Sequence, residues 1–177
     1  MFKPRISYEI RSVTIAQLVR DRDPNGEVPY VDQLFIDRKI QRDGCWDDAD
    51  RDSYIESILL GLHQASFVLV NVAQCSTHLA LSQKDREYYL GLVEEFPLQP
   101  YSVVDGQNRA LDCLLALLAD QYAFTPSEQF GMQHPDIFGT NGQNSVTFSQ
   151  LSHVMQTYIA NTEIPLPMSD FPETDND

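Results

Sequence analysis

Val103-Val104-Asp105-Gly106-Gln107-Asn108-Arg109-Ala110-Leu111-Asp112-Cys113-Leu114-Leu115-Ala116-Leu117-Leu118 is the stretch on which the fold turns. Apolar β-formers run from Tyr101 to Val104 and stop at Asp105-Gly106. From Ala110 to Ala119 the chain is apolar on nearly every helical side apart from Asp112, which predicts a helix buried all round. A strand passing directly into such a helix leaves first-turn N–H groups free beside the positive end of the helix dipole, and Gly106 permits close approach to the backbone. That arrangement suits an anion. Arg109 falls within the first turn and can add bidentate contacts to a phosphate, while Asp105 is placed to hold a magnesium ion or orient a water. Gln107 and Asn108 offer amide contacts. The same residues also read as an ordinary strand-to-helix turn, with Asp105 as a cap and Arg109 as a solvated charge.

Upstream, Thr14 and Gln17 stand at capping-box spacing, with Val13 and Leu18 as a hydrophobic staple, so a short first helix begins near Thr14. Gln33 to Ile36 predicts a short strand. Trp46 precedes Asp47, Asp48, Asp50 and Asp52, acids suited to a helix start, and Ile55, Ile58, Leu59 and Leu62 mark one stripe of that helix. Phe67 to Val72 predicts a buried strand. Ser82 to Phe96 predicts a third helix, with Tyr89, Leu92, Val93 and Phe96 on one face. Tyr122 to Ser145 reads as a long loop with aromatic residues spread through it. Thr147 and Gln150 repeat the capping-box spacing, and Leu151, Val154, Met155, Tyr158 and Ile159 form the stripe of a last helix.

A chain of 177 residues can bury one good core, so residues 1–168 are expected to form a single domain and 169–177 a flexible acidic tail. Apolar residues at 42% and charged residues at 21% are ordinary for a folded domain. Twelve basic against twenty-six acidic residues give a formal charge of -14, which disfavours non-specific DNA binding. Such acidity usually marks a solvated surface; mimicry of DNA, or a basic partner, is the sharper reading.

Cys45, Cys75 and Cys113 are odd in number and include no Cys-x-x-Cys, which fits a reducing compartment. No apolar stretch reaches the ~18 residues of a membrane span, and the first residues lack a signal-peptide core, so a cytoplasmic protein is expected. His63, His78, His134 and His153 show no metal-ligand spacing.

Taken together, Gln41-Arg42, Trp46, the run Ile55-Glu56-Ser57-Ile58-Leu59-Leu60-Gly61 and Asp105 to Arg109 resemble a known family. It is the DGQQR-bearing domain found at the N-terminus of GmrSD-type restriction enzymes, a branch of the ParB and sulfiredoxin-like superfamily. The resemblance extends from Thr14 to Leu118. It implies an α/β (α+β) fold with a ParB/sulfiredoxin-like core, that is, a small mixed sheet with packed helices and one inserted helix. It further implies a nucleoside triphosphate with Mg2+ as ligand, and a protein partner in a phage-defence or phage system. By position, Gln41, Arg42, Gly106, Asn108 and Arg109 would bind the nucleotide. Asp105, Gln107 and Arg109 would serve catalysis, with Asp105 on the metal. Trp46 reads first as a core anchor.

The chain departs from the family pattern at three places. Asn108 replaces the second Gln, Leu62-His63-Gln64 stands where Pro-Ile-Pro usually follows, and the 25 residues from Ala73 to Pro97 are inserted. Gln107 occupies the position of the reactive cysteine of sulfiredoxin and cannot do its chemistry. No nuclease motif is present. The leading expectation is therefore a nucleotide-binding domain, in its stronger form a nucleoside triphosphatase. The alternative is a non-catalytic binding or structural protein, phage-encoded for instance, that keeps the fold without turnover. An acidic inhibitor of a DNA-binding enzyme comes third.

Overall fold

Ser7–Thr14 carries Tyr8, Ile10, Val13 and Thr14, residue types that favour extended backbone, and forms strand β1. The structure, a computed structural model, describes residues 7–22, 28–35, 46–62, 67, 69–77, 79, 81–99, 101–103 and 108–170. Thr14 ends β1 and caps helix α1 (Ile15–Val19): its hydroxyl accepts from the Gln17 N–H at 3.1 Å, and its own N–H donates to the Gln17 amide oxygen at 3.0 Å. Val13 and Leu18, the expected staple, are both buried.

A 3-10 turn at Tyr30–Gln33 leads into strand β2 (Leu34–Phe35), and helix α2 follows at Asp48–Leu59. Strand β3 (Leu69–Asn71) runs into helix α3 (Val72–Thr77), which turns back into helix α4 (Gln83–Glu95). Strand β4 (Tyr101–Val103) precedes helix α5 (Asn108–Leu118). Short helices α6 (Glu128–Met132) and α7 (Pro135–Phe138), a 3-10 turn at Phe148–Gln150, helix α8 (His153–Asn161) and strand β5 (Glu163–Asp170) complete the described residues. The architecture is mixed α and β.

The strands order as β1-β5-β3-β4-β2. β1 and β5 pair antiparallel along their full length, from Ser7 opposite Asp170 to Thr14 opposite Glu163. β3 is parallel to β5 and antiparallel to β4, and β4 is parallel to β2. The main core draws on most of this arrangement but not on α3 and α4, with Ile15, Leu18, Ile55, Ile58, Leu69, Leu111, Leu114, Leu117, Ile159, Ile164 and Leu166 fully buried. α5 packs against α1 and α2, and α8 packs against the same two helices.

Five expectations need correction. The β1–β5 ribbon was not foreseen, because Pro165 and Pro167 argue against a strand. They are tolerated for a physical reason. Ile15 donates to the Thr162 carbonyl at 2.9 Å, so the odd-numbered residues of β1 exchange bonds with the even-numbered residues of β5, and both proline nitrogens face away from β1. The strand also runs to Asp170, two residues into the segment read as a tail; residues 171–177 lie outside the described residues.

The 122–145 stretch is not irregular throughout, because two short helices, α6 and α7, interrupt it. Phe124, Phe130 and Phe138 meet edge to face around α6 and α7, with Phe124 against Phe138 at 5.9 Å and Phe130 against Phe138 at 6.0 Å. Gly142, at φ +68, lies so close to Gly131 that a Cβ on Gly131 would collide with the Gly142 carbonyl.

The α2 stripe ends sooner than its spacing suggests. Gly61, at φ +71, closes the helix in a Schellman arrangement, with Gly61 donating to Ile58 at 3.1 Å and Leu62 to Ser57 at 2.9 Å. Leu62 is consequently exposed. The Thr147–Gln150 capping box heads the 3-10 turn, while Ser152 caps α8 by accepting from Met155 at 3.2 Å; of the expected stripe, Val154 and Tyr158 face solvent.

Candidate functional site

β4 stops at Val103 and α5 starts at Asn108, so the quoted motif spans a strand end, a four-residue connection and a helix start. Asp105, Gly106 and Gln107 lie in the connection and, like Gln41 and Arg42, fall outside the described residues. Asn108 is the first residue of α5. Arg109 is exposed in the first helical turn, and the next residues, Ala110, Leu111, Cys113 and Leu114, are buried. The sequence therefore divides at Arg109: C-terminal to it the helix packs on the core apart from the exposed Asp112, and Arg109 itself faces solvent.

Sheet topology relates the two halves of the motif. β4 lies inside the sheet, between β3 and β2. It is parallel to β2, with Leu34 opposite Tyr101 and Phe35 opposite Ser102. Parallel neighbours end at the same edge of a sheet, so the chain leaves β2 and β4 from one edge. The sequence after Phe35 carries Gln41 and Arg42, and the sequence after Val103 carries Asp105, Gly106 and Gln107. The carboxyl edge of parallel strands, at a helix start, is where α/β sheets commonly bind ligands.

The chain re-enters the described structure at Trp46, whose ring meets Tyr54 edge to face at 5.1 Å and packs on the main core. Trp46 is an anchor for α2. Burial pushes the Cys113 thiol up to about 12 and the Cys75 thiol up to about 11, so neither offers a thiolate near neutral pH.

Two acids of α2 have a role that sequence reasoning missed. One Asp52 carboxylate oxygen accepts from the Tyr122 hydroxyl at 2.6 Å and from the Thr125 N–H at 3.1 Å. Glu56 accepts from the Ser127 N–H at 2.7 Å, and the Ser127 hydroxyl in turn caps α6. The Arg51 guanidinium covers the Tyr122 ring at 5.3 Å. Burial, then the Asp52 hydrogen bond, raises the Tyr122 pKa and keeps the phenol a donor. Glu56 belongs to the family-like Ile55–Gly61 run, and here its bond is structural. Asn141 accepts from the Gln143 N–H at 3.1 Å, a turn contact, as an Asn-Gly pair suggests.

A shallow groove of about 700 Å³ runs along α8, and the described residues that line it include His153, Val154, Thr157, Tyr158, Asn161 and Glu163 but not Arg109. Among the described residues no group of three or more His, Cys, Asp or Glu side chains is placed to hold a metal, and no helix is long and apolar enough to cross a membrane. No family model, curated protein or solved structure matches the chain.

Proposed function

We propose that this chain binds a nucleoside triphosphate with Mg2+, its phosphates held at the start of α5. The observation that carries the reading is the parallel pairing of β2, the last strand of the sheet, with β4, which sends both motif-bearing segments out from one edge. Arg109 stands there, exposed in the first turn of a helix that is mostly buried beyond it. In the stronger form of the proposal, Asp105 holds the metal, Gln107 orients a water and Arg109 stabilises charge on the transferring phosphoryl group. The chain then belongs with the ParB and sulfiredoxin-like domains and works with a protein partner in phage defence.

A second reading keeps binding and drops turnover. It is favoured by the charge of -14 and by Asn108 in place of the family glutamine. Thermal unfolding with ATP, GTP or CTP, each with Mg2+, tests the common part, because a ligand that binds only the native state raises apparent stability. Phosphate release under the same conditions separates the two readings. No stabilisation by any of the three nucleotides would end both.

A further inference from the structure

We propose that β1 is a self-association edge, on which a second copy of this chain adds its own β1 antiparallel about a two-fold axis at Ile10. β1 stands at the end of the strand order, and among the described residues nothing pairs with its outer edge. The bond from Ile15 to the Thr162 carbonyl fixes which residues face β5, namely the odd-numbered ones. The N–H and C=O groups of Tyr8, Ile10 and Ser12 therefore point outward. Thr14, the next in that series, already donates to Gln17.

An eight-residue edge strand is a ready template for another strand, and proteins commonly blunt such edges with proline, a bulge or charged side chains, lysine above all. β1 contains neither proline nor lysine, and its register with β5 runs without interruption. Ile10, at its middle, is 70% exposed.

The sequence selects a second copy over an unrelated strand. Antiparallel pairing centred on Ile10 sets Ile10 opposite Ile10 and Tyr8 opposite Ser12, so that every outward-pointing group of these residues meets an outward-pointing group of the other copy. The same register sets position 9 opposite position 11, a glutamate against an arginine, once on each side of the axis. A two-fold interface requires this kind of self-complementarity. Centring on Tyr8 or Ser12 instead would keep the hydrogen-bond pattern and lose the charge pairs.

Sedimentation or light scattering from ~1 µM to ~1 mM reads the mass directly. The wild type is expected to rise from 20.2 kDa toward twice that value. Arg11→Glu and Glu9→Arg each set like charges together on both sides of the axis, and each should weaken self-association on the order of tenfold. An equimolar mixture of the two variants restores both opposite-charge pairs, so it should recover wild-type association as a heterodimer; this recovery also shows that both variants are folded. A wild-type mass of 20.2 kDa at every concentration overturns the proposal. So does a dimer that is indifferent to the single substitutions, or a mixture that fails to recover association.

Discussion

Helices α2 and α4 begin alike and end in different situations. Asp47 caps α2 by accepting from Asp50 at 2.8 Å, Ser82 caps α4 by accepting from Asp85 at 3.1 Å, and both helices are rich in charge. From α2, Asp52 and Glu56 reach residues some seventy positions later in the chain, and Ile55 and Ile58 sit in the main core. From α4, Leu92 meets Val72 of α3, with Tyr89, Val93 and Phe96 around them, in a small separate cluster. The α3–α4 hairpin is inserted between neighbouring strands β3 and β4 and packs mainly on itself. Cohesion in this molecule is therefore uneven: the seam between α2 and residues 122–146 ties distant parts together, and the hairpin is expected to open alone.

The comparison breaks first at the seam's aromatic centre. Phe138 is fully buried against Phe124 and Phe130, and Phe138→Ala should cost about 3–5 kcal/mol in denaturant unfolding. A loss below about 1 kcal/mol would mean that α6 and α7 are an ornament on the core. Next comes Asp52→Ala, which deprives the Tyr122 hydroxyl and the Thr125 N–H of one acceptor and should cost roughly 2–3 kcal/mol. Tyr122→Phe combined with it in a double-mutant cycle should show coupling, since the two changes remove one shared bond.

Leu92→Ala sharpens the contrast from the other side. Its cost, about 2 kcal/mol, should appear as faster amide exchange confined to α3 and α4, with little change in global unfolding. A matching shift in the global transition would show that the hairpin and the core unfold as one unit.

The sequence was most legible where the deciding chemistry is local. Thr14 with Gln17 and Ser82 with Asp85 sit within one turn of each other, and both helix starts lie where the residues indicate. So does the passage from β4 into a buried α5, and with it the exposed place of Arg109 in the candidate site. Legibility failed where a local signal had a non-local answer. Pro165 and Pro167 oppose a strand until β1 is known to lie on their other side. Asp52 and Glu56 look like a solvated helix face until the distant donors arrive. The topology linking the Gln41-Arg42 and Asp105–Gln107 segments, the parallel pairing of β2 with β4, rests on two-residue contact that no periodicity in the sequence announces.

The smallest expected effect on stability falls at the position with the largest expected effect on function. Arg109 is exposed on the first turn of α5, so its removal opens no cavity, and Arg109→Ala should change unfolding free energy by no more than roughly half a kcal/mol. If its guanidinium faces a bound phosphate, the same substitution should abolish the rise in melting temperature produced by nucleotide and Mg2+. Arg109→Lys separates charge from geometry: an ammonium keeps the charge but lacks the planar fork, so partial stabilisation points to simple charge attraction and complete loss points to a bidentate contact. An Arg109→Ala protein that binds nucleotide as the wild type does would place Arg109 among ordinary solvated charges and leave the start of α5 as a strand-to-helix turn.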